Sequence, residues 1–258
     1  MATPAAVKAE PDAIHAPSRG LVLMPAYNEE ATLGAVLDEI RTLTSFDLLV
    51  VDDGSSDRTA EIARARGARV LRHPFNLGYG AALQTGYKFA ASGDYQVLVQ
   101  IDGDGQHDPS FIPALAARVV DGHVDACVGS RFLIGDGYIP PFFRRVGMVL
   151  FGYIATVATG RRVTDPTSGY QALSRRVFRF FQSDVFPTDY PDADMLILLH
   201  RAGFKVEEAP VAMRASATGQ SMHSGILKPL FYVFKMFLSI GVTLMREPPG
   251  PAPTEGDG

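Results

Sequence analysis

The 258-residue chain has one cysteine, only a small excess of acidic charge and no uninterrupted apolar run of bilayer length. A single cysteine excludes an internal disulfide and fits a reducing compartment. Cys127, inside Ala126-Cys127-Val128, reads as a small core residue. A net charge of -4 leaves no whole-chain footprint for nucleic acid, so no nucleic-acid partner is expected and any polyanion site must be local. The histidines His73, His107 and His200 are scattered and read as satisfied surface or core groups. Residues 1–19 lack an apolar core of signal-peptide length and are expected as a disordered tail, as are residues 247–258.

What is present fits a globular protein. With 47% hydrophobic and 20% charged residues, the length suffices for one large α/β domain or two small ones. Leu21-Val22-Leu23-Met24 is a short apolar strand, and Glu30 to Leu43 follows as a helix with Leu33, Val36, Leu37 and Ile40 on one face. Further strands are predicted at Leu48–Val51, Ala68–Leu71, Tyr95–Ile101 and Asp125–Val128. Helices separate them: one through Arg66, one over Tyr79–Ala91, and one opened by Pro109. Ser55 or Ser56 is placed to cap the second helix, with Asp57 in its first turn. Such alternation implies a Rossmann-like, mostly parallel α/β sheet with helices on both faces.

Ligands of such sheets sit outside the carboxyl ends of the strands. Here those ends are Pro25-Ala26-Tyr27-Asn28-Glu29, Asp52-Asp53-Gly54-Ser55 and Asp102-Gly103-Asp104, three polar clusters that should line one edge. In the third cluster two carboxylates stand one glycine apart, an arrangement that gains nothing structurally at a strand end. Gly103 and Gly105 free the backbone so that Asp102 and Asp104 can converge. Hard oxygens without histidine or thiol partners suit Mg2+ or Mn2+, ions that bring a phosphate-bearing ligand with them. An ordinary Asp-Gly turn is the competing reading of this motif taken alone. Asn76-Leu77-Gly78-Tyr79-Gly80-Ala81 begins like a dinucleotide fingerprint. Leu83 stands at the third glycine and the stretch follows the third strand, so that reading is set aside.

Together these motifs resemble the family 2 glycosyltransferases of GT-A fold, from about Leu21 to about Ser221, and among them the polyprenyl-phosphate sugar transferases. The resemblance implies a catalytic domain over residues 20–224. It also implies inverting, metal-dependent transfer of a hexose from a GDP- or UDP-linked donor to a polyprenyl phosphate. Pro25, Tyr27 and Glu29 would border the nucleoside, Asp52 would accept a hydrogen bond from a base N–H with Asp53 beside it, and Asn76 and Gly78 would lie near the donor. Asp102 and Asp104, with Gly103 between them and Gln106 alongside, would hold Mg2+ or Mn2+ against the diphosphate. Arg131 and Arg214 would meet phosphate, and Asp165 and Ser168 would belong to the acceptor-side loop. The resembled synthases carry a lysine after the arginine. Here Met222 stands where it would fall, and His223 is the partial substitute.

The chemistry agrees with those residue types. Breaking a sugar–diphosphate bond builds negative charge on the leaving nucleotide, which a cation and a guanidinium can meet. Arginine suits this better than lysine, because its planar fork takes two oxygens. Asp189, Asp192 and Asp194 are candidate bases for an incoming hydroxyl, and capping of a helix over Ala193–Ala202 is their competing role. A phosphate monoester acceptor is already ionised and needs no strong base. Two alternatives stay open: a hydroxyl acceptor served by an Asp base, and a non-catalytic nucleotide-sugar binding subunit.

Two stretches bear on the acceptor. Val146 to Ala158 is apolar, flanked by Arg144-Arg145 and Arg161-Arg162, and too short to span a bilayer of about 20 helical residues. Residues 225–246 read as an amphipathic helix with Lys228, Lys235, Ser239, Thr243 and Arg246 on one face. An interfacial helix, apolar face among acyl chains and lysines among headgroups, is the expectation, with packing on the domain or in a homodimer seam as the competing role. A peripheral place on the cytoplasmic face of the membrane follows from that expectation.

Overall fold

The computed structural model describes residues 19–133, 142–187, 191–214 and 227–245, with side chains described outside 142–146 and 227–234. Asp189, Met222, His223 and both tails, apart from Arg19, lie outside the described residues, as do the side chains of Arg144, Arg145 and Lys228.

Strand β1 (Gly20–Ala26) is buried along its whole length and sits at the middle of the fold. It pairs in parallel with β2 (Asp47–Asp52) on one side and with β4 (Val97–Gln100) on the other. β3 (Arg69–Arg72) extends the sheet beyond β2, also in parallel. The other half is built by β6 (Gln171–Ser174), antiparallel to both β4 and β5 (Ala126–Ser130), and by β7 (Val206–Pro210), parallel to β5. The full order is β3-β2-β1-β4-β6-β5-β7, a mostly parallel sheet as the alternating pattern predicts.

Strands covered on both faces read as continuous apolar runs, because alternate residues point to opposite cores. Leu21, Leu23, Leu49 and Leu98 pack with Ala82, Leu83 and Tyr87 of α3 (Tyr79–Ala91) and with Phe178 and Phe181 of α6 (Arg175–Phe181). Val22, Met24, Val50 and Val99 point the other way. They pack on Leu33, Leu37 and Ile40 of α1 (Leu33–Leu43) and on Ile112 and Leu115 of α4 (Ile112–Val120). Each such Leu, Ile or Val contributes about 1.5–3 kcal/mol by leaving water. A third, smaller cluster joins Phe151 and Ala155 of α5 (Phe142–Thr159), Ala193 and Ile197 of α7 (Ala193–Arg201), and Met236 and Ile240 of α8 (Leu227–Met245).

Two local readings are corrected. Helix α2 (Thr59–Ala65) starts later than a Ser55 or Ser56 cap requires. Those serines instead staple the β1 and β2 ends together: Asn28 N–H donates to Ser55 Oγ at 2.9 Å, and Ser56 N–H donates to Asn28 Oδ1 at 2.9 Å. Pro109 opens a 3-10 turn, Pro109–Phe111, capped by Asp108 and running into α4. On α8 the outward face is the apolar one. Phe237, Leu238, Val242, Leu244 and Met245 are exposed, whereas Lys235, Ser239 and Thr243 are half-buried beside Met236 and Ile240. No described helix is long and apolar enough to cross a membrane.

Candidate active site

The chain runs from β1 outward through β2 and β3, then returns to add β4 on the opposite side of β1. That reversal opens a crevice at the carboxyl ends of β1 and β4, the position where open α/β sheets bind ligands. All three predicted polar clusters meet along this edge. Asp53 N–H donates to Ala26 O at 2.9 Å, joining the β1 and β2 ends, and Thr32 Oγ1 donates to Gly103 O at 2.9 Å, joining the β1 loop to the β4 loop.

Asp102 stands just beyond β4, its carboxylate about a third exposed. Tyr79 Oη, from the first turn of α3, donates to Asp102 Oδ1 at 2.9 Å and accepts from Gln100 Nε2 at 3.1 Å. His107 Nδ1 lies 3.6 Å from the same carboxylate and 3.2 Å from the Asp102 backbone N. Asp104 is oriented by Gln106, whose backbone N–H reaches Oδ1 at 2.9 Å and whose Nε2 reaches Oδ2 at 2.5 Å. Gln106 thereby holds Asp104 in place through its side-chain amide. Gly105 takes a left-handed φ of 77° in this turn, as a residue without Cβ readily does. Gly103 has no positive φ, and a Cβ there would press on Leu33 at 3.3 Å.

Electrostatics gathers the acids of this edge. Burial pushes the Asp102 carboxyl above the ordinary aspartate range and the Asp104 charge adds to that, while His107, Tyr79 and Arg131 pull it back. Glu29 is likewise raised, first by burial and then by Asp104, Asp102 and Asp57, against a 3.0 Å hydrogen bond from Thr32 Oγ1. Asp102 and Glu29 are both raised in part by the neighbouring Asp104 charge, a repulsion that a cation placed among them would relieve. No group of three or more His, Cys, Asp or Glu side chains converges as a ready-made cage among the described residues. Asp102 and Asp104 would offer a cation a carboxylate pair with open positions, which suits an ion that keeps water and phosphate oxygens of its own.

The residues expected to border the nucleoside lie at the ends of β1 and β2. Asp52 is fully buried; its Oδ1 accepts from Ser55 N–H at 3.0 Å. Its Oδ2 stands 3.0 Å from Arg72 Nε, but no donor is aligned on it, so the contact is one of charge only. Oδ2 is thus a buried acceptor lacking a hydrogen bond. Tyr27 is exposed at the mouth, and Pro25 is buried behind it. Asp53 is taken up by the protein itself: Leu77 N–H at 2.9 Å, Gly78 N–H at 2.8 Å and His73 Nδ1 at 2.7 Å all reach its carboxylate. It fixes the Asn76-Leu77-Gly78 turn, leaving Asn76 exposed.

The remaining predicted residues divide. Arg131 and Asp165 are buried and form one unit, with Nε–Oδ2 at 2.6 Å, Nη2–Oδ1 at 2.5 Å and Thr167 Oγ1 2.8 Å from Nη2. A buried guanidinium requires a carboxylate, which is why these two face each other and brace the loop carrying Ser168, itself buried. Gly169 lies against the centre: a Cβ there would come within 2.7 Å of Tyr79 Oη. Asp192 stands at the N-cap of α7, and its charge adds the smallest of the contributions that raise Tyr79. Asp194 is sealed in, its Oδ1 accepting from Asp192 N–H at 3.0 Å and Met195 N–H at 2.8 Å, its Oδ2 from Ser239 Oγ. Arg214 is tied to Glu39 by two 2.6 Å bonds and to Asp108 at 2.9 Å, although its backbone N–H donates to Gln106 O. The sequence reading overlooked Tyr79, Gly169, His73 and His107. The two histidines are not scattered: each contacts a carboxylate of this edge.

The glycosyl transferase family 2 profile matches residues 21–181. A dolichyl-phosphate hexose transferase of Haloferax volcanii is 33% identical over 199 residues, 76% of this chain and 83% of that protein. An undecaprenyl-phosphate mannosyltransferase of Micrococcus luteus is 31% identical over 216 residues, 80% of this chain and 88% of that protein. Among solved structures, glucosyl-3-phosphoglycerate synthase of Mycobacterium tuberculosis, in complex with Mn2+, UDP-glucose and phosphoglyceric acid, superimposes with a TM-score of 0.68. The identity is 23%, covering 93% of this chain and 82% of that one, a likeness of fold.

Proposed function

The chain belongs to glycosyl transferase family 2, and from that membership we propose that it transfers a hexose from a nucleotide-diphosphate sugar to a polyprenyl phosphate, inverting the anomeric carbon. The observation that carries the reading is the edge itself, where Asp102 and Asp104 are oriented by Tyr79 and Gln106 beside a buried, unbonded oxygen of Asp52. Asp102 and Asp104 would hold Mg2+ or Mn2+, which when bound supplies positive charge to the leaving diphosphate. Asp52 Oδ2 accepts a base N–H and Arg72 stands beside it to donate to an adjacent carbonyl, an edge that uracil and guanine both offer. Tyr27 covers the base. The Arg131–Asp165 pair fixes the acceptor-side loop and keeps a guanidinium within electrostatic reach of Asp102.

A lipid acceptor is supported by the outer face of α5 and α8. Val149, Tyr153 and Val157 of α5 and Phe237, Leu238 and Val242 of α8 are exposed on two helices that touch through Phe151 and Phe237, ring centroids 5.5 Å apart. Exposed Arg161 and Arg162 follow α5 directly. An apolar face bordered by arginines suits a leaflet of anionic headgroups, and so a peripheral position on the cytoplasmic membrane face. A phosphate acceptor arrives ionised, so Asp192 need only orient it.

The test is a transfer assay with UDP- and GDP-linked hexoses and a polyprenyl phosphate, with Mn2+ or Mg2+ present or chelated, products read by mass spectrometry. Metal-dependent hexosyl polyprenyl phosphate of inverted configuration is expected. Transfer only to water-soluble hydroxyl or phosphate acceptors would overturn the lipid assignment, and donor binding with no transfer to any acceptor would overturn the enzymatic one.

A further inference from the structure

Asp194 is fully buried, ionisable and outside the chemistry just described, yet it joins two elements of different kind. On one side it accepts from Ser239 Oγ of α8, the helix that also bears the exposed Phe237, Leu238 and Val242. On the other it gathers the first turn of α7 through the backbone N–H groups of Asp192 and Met195. Both of those residues lead to the carboxylate edge. Asp192 acts electrostatically on Tyr79. Met195 Sδ contacts Gln171 Nε2 at 3.6 Å, Gln171 Nε2 donates to Gln100 Oε1 at 3.1 Å, and Gln100 Nε2 donates to Tyr79 Oη, which donates to Asp102. An unbroken series of contacts therefore runs from α8 to Asp102.

We propose that Ser239 and Asp194 are positioning residues through which the seating of α8 sets Asp192 and Tyr79 at the site, so that a lipid surface covering the outer face of α8 raises turnover. Between Lys235 and Met245, the part of α8 whose side chains are described, Met236 and Ile240 are the buried residues, so this stretch is held to the domain by few side chains. An element with few buried contacts opens at low cost, and a surface that covers its bare face shifts it toward the seated state. Seating completes the Ser239–Asp194 bond, and the α7 turn is then fixed from both sides. Coupling between distant sites in proteins is typically about 5- to 150-fold, and the lower part of that range is expected here.

This inference rests on the lipid-surface reading given above, and its test separates the two. The full chain, Ser239→Ala and Ser239→Thr are compared for cosedimentation with phosphatidylglycerol/phosphatidylcholine vesicles, for UDP and GDP binding with Mn2+, and for turnover of a short, water-soluble prenyl phosphate with and without vesicles. Wild type is expected to bind vesicles and to gain about fivefold or more in kcat from them, with little change in donor KM. Ser239→Ala is expected to bind vesicles and nucleotide as wild type does and to lose the gain; Ser239→Thr, which keeps the hydroxyl, retains it. Equal stimulation of wild type and Ser239→Ala overturns the positioning role while leaving the surface reading intact. Failure of wild type to bind vesicles overturns both. If Ser239→Ala proves unstable, Ser239→Val replaces it: it has the shape of the threonine variant without a hydroxyl to donate to Asp194, and undiminished stimulation in that variant likewise overturns the proposal.

Discussion

Tyr79→Phe removes one oxygen atom and tests how the carboxylate edge is organised. In the wild type that oxygen donates to Asp102 Oδ1 at 2.9 Å and accepts from Gln100 Nε2 at 3.1 Å. The ring and its packing are retained, and Gln100 keeps the bonds of its Oε1 to Tyr87 and Gln171, so the fold should lose only about 1 kcal/mol, the worth of an ordinary hydrogen bond. The site should lose more. A hydrogen bond to an ionised carboxylate contributes about 1.5–3 kcal/mol, and it favours the form that binds a cation. Burial already pushes the Asp102 carboxyl up, so without Tyr79 the proton competes better and the side chain is free to turn. Outer-shell partners of metal ligands typically cost about 10- to 100-fold in affinity when removed, the same range as the hydrogen-bond figure. The assay is Mn2+ titration by electron paramagnetic resonance with saturating nucleoside diphosphate, alongside urea unfolding. Mn2+ affinity within twofold of wild type would show that Asp102 needs no orientation from α3, and the account of this edge would be wrong.

Three further outcomes follow from the geometry. Asp53→Ala strands two backbone N–H groups and His73, and should cost about 3–5 kcal/mol in urea unfolding, as breaking a buried charged hub does; a loss below about 1 kcal/mol would contradict its structural role. Asp194 is raised by burial, so the stability it contributes is greatest below its unfolded value of about 3.9 and is lost as pH rises through its higher folded value. The stability of Asp194→Asn relative to wild type should therefore improve from acid toward neutral pH, and a difference independent of pH would contradict the assignment. Leu238→Asp on the outer face of α8 should weaken vesicle binding by about tenfold or more, since burying such a side chain is worth about 1.5–3 kcal/mol, while thermal stability changes little; undiminished binding places the lipid surface elsewhere.

Much of this arrangement was legible in the residues. The apolar runs of β1, β2 and β4 locate strands buried on both faces, and the polar residues that end them locate the site, because a parallel sheet sends those ends to one edge. Helix α3 has the bounds its periodicity predicts, Tyr79–Ala91. What escaped the sequence depends on which element lies against which. Tyr79 sits 23 residues before Asp102 and meets it only because α3 packs across β1, the strand that pairs with β4. Arg131 and Asp165 each look like substrate ligands alone, and their pairing across 34 residues appears only when β5 and the following loop converge. The short β6 and β7 carry Gln171, Glu207 and Glu208, whose polar side chains erase the apolar signal of a strand. On α8, periodicity gives a polar stripe but cannot say which side the domain covers. Ser239 turns inward because Asp194 is there to receive it.

The central claim is that Asp102 and Asp104 hold a divalent cation that grips the donor diphosphate. Isothermal titration of UDP and GDP into the wild-type protein and Asp104→Asn, each with Mn2+ and with chelator, tests it most directly. One of the two nucleotides should bind the wild type at least tenfold more tightly with Mn2+, and Asp104→Asn should erase that difference while retaining its metal-free binding. A Mn2+ effect that survives in Asp104→Asn, or nucleotide affinity indifferent to metal in the wild type, would contradict it.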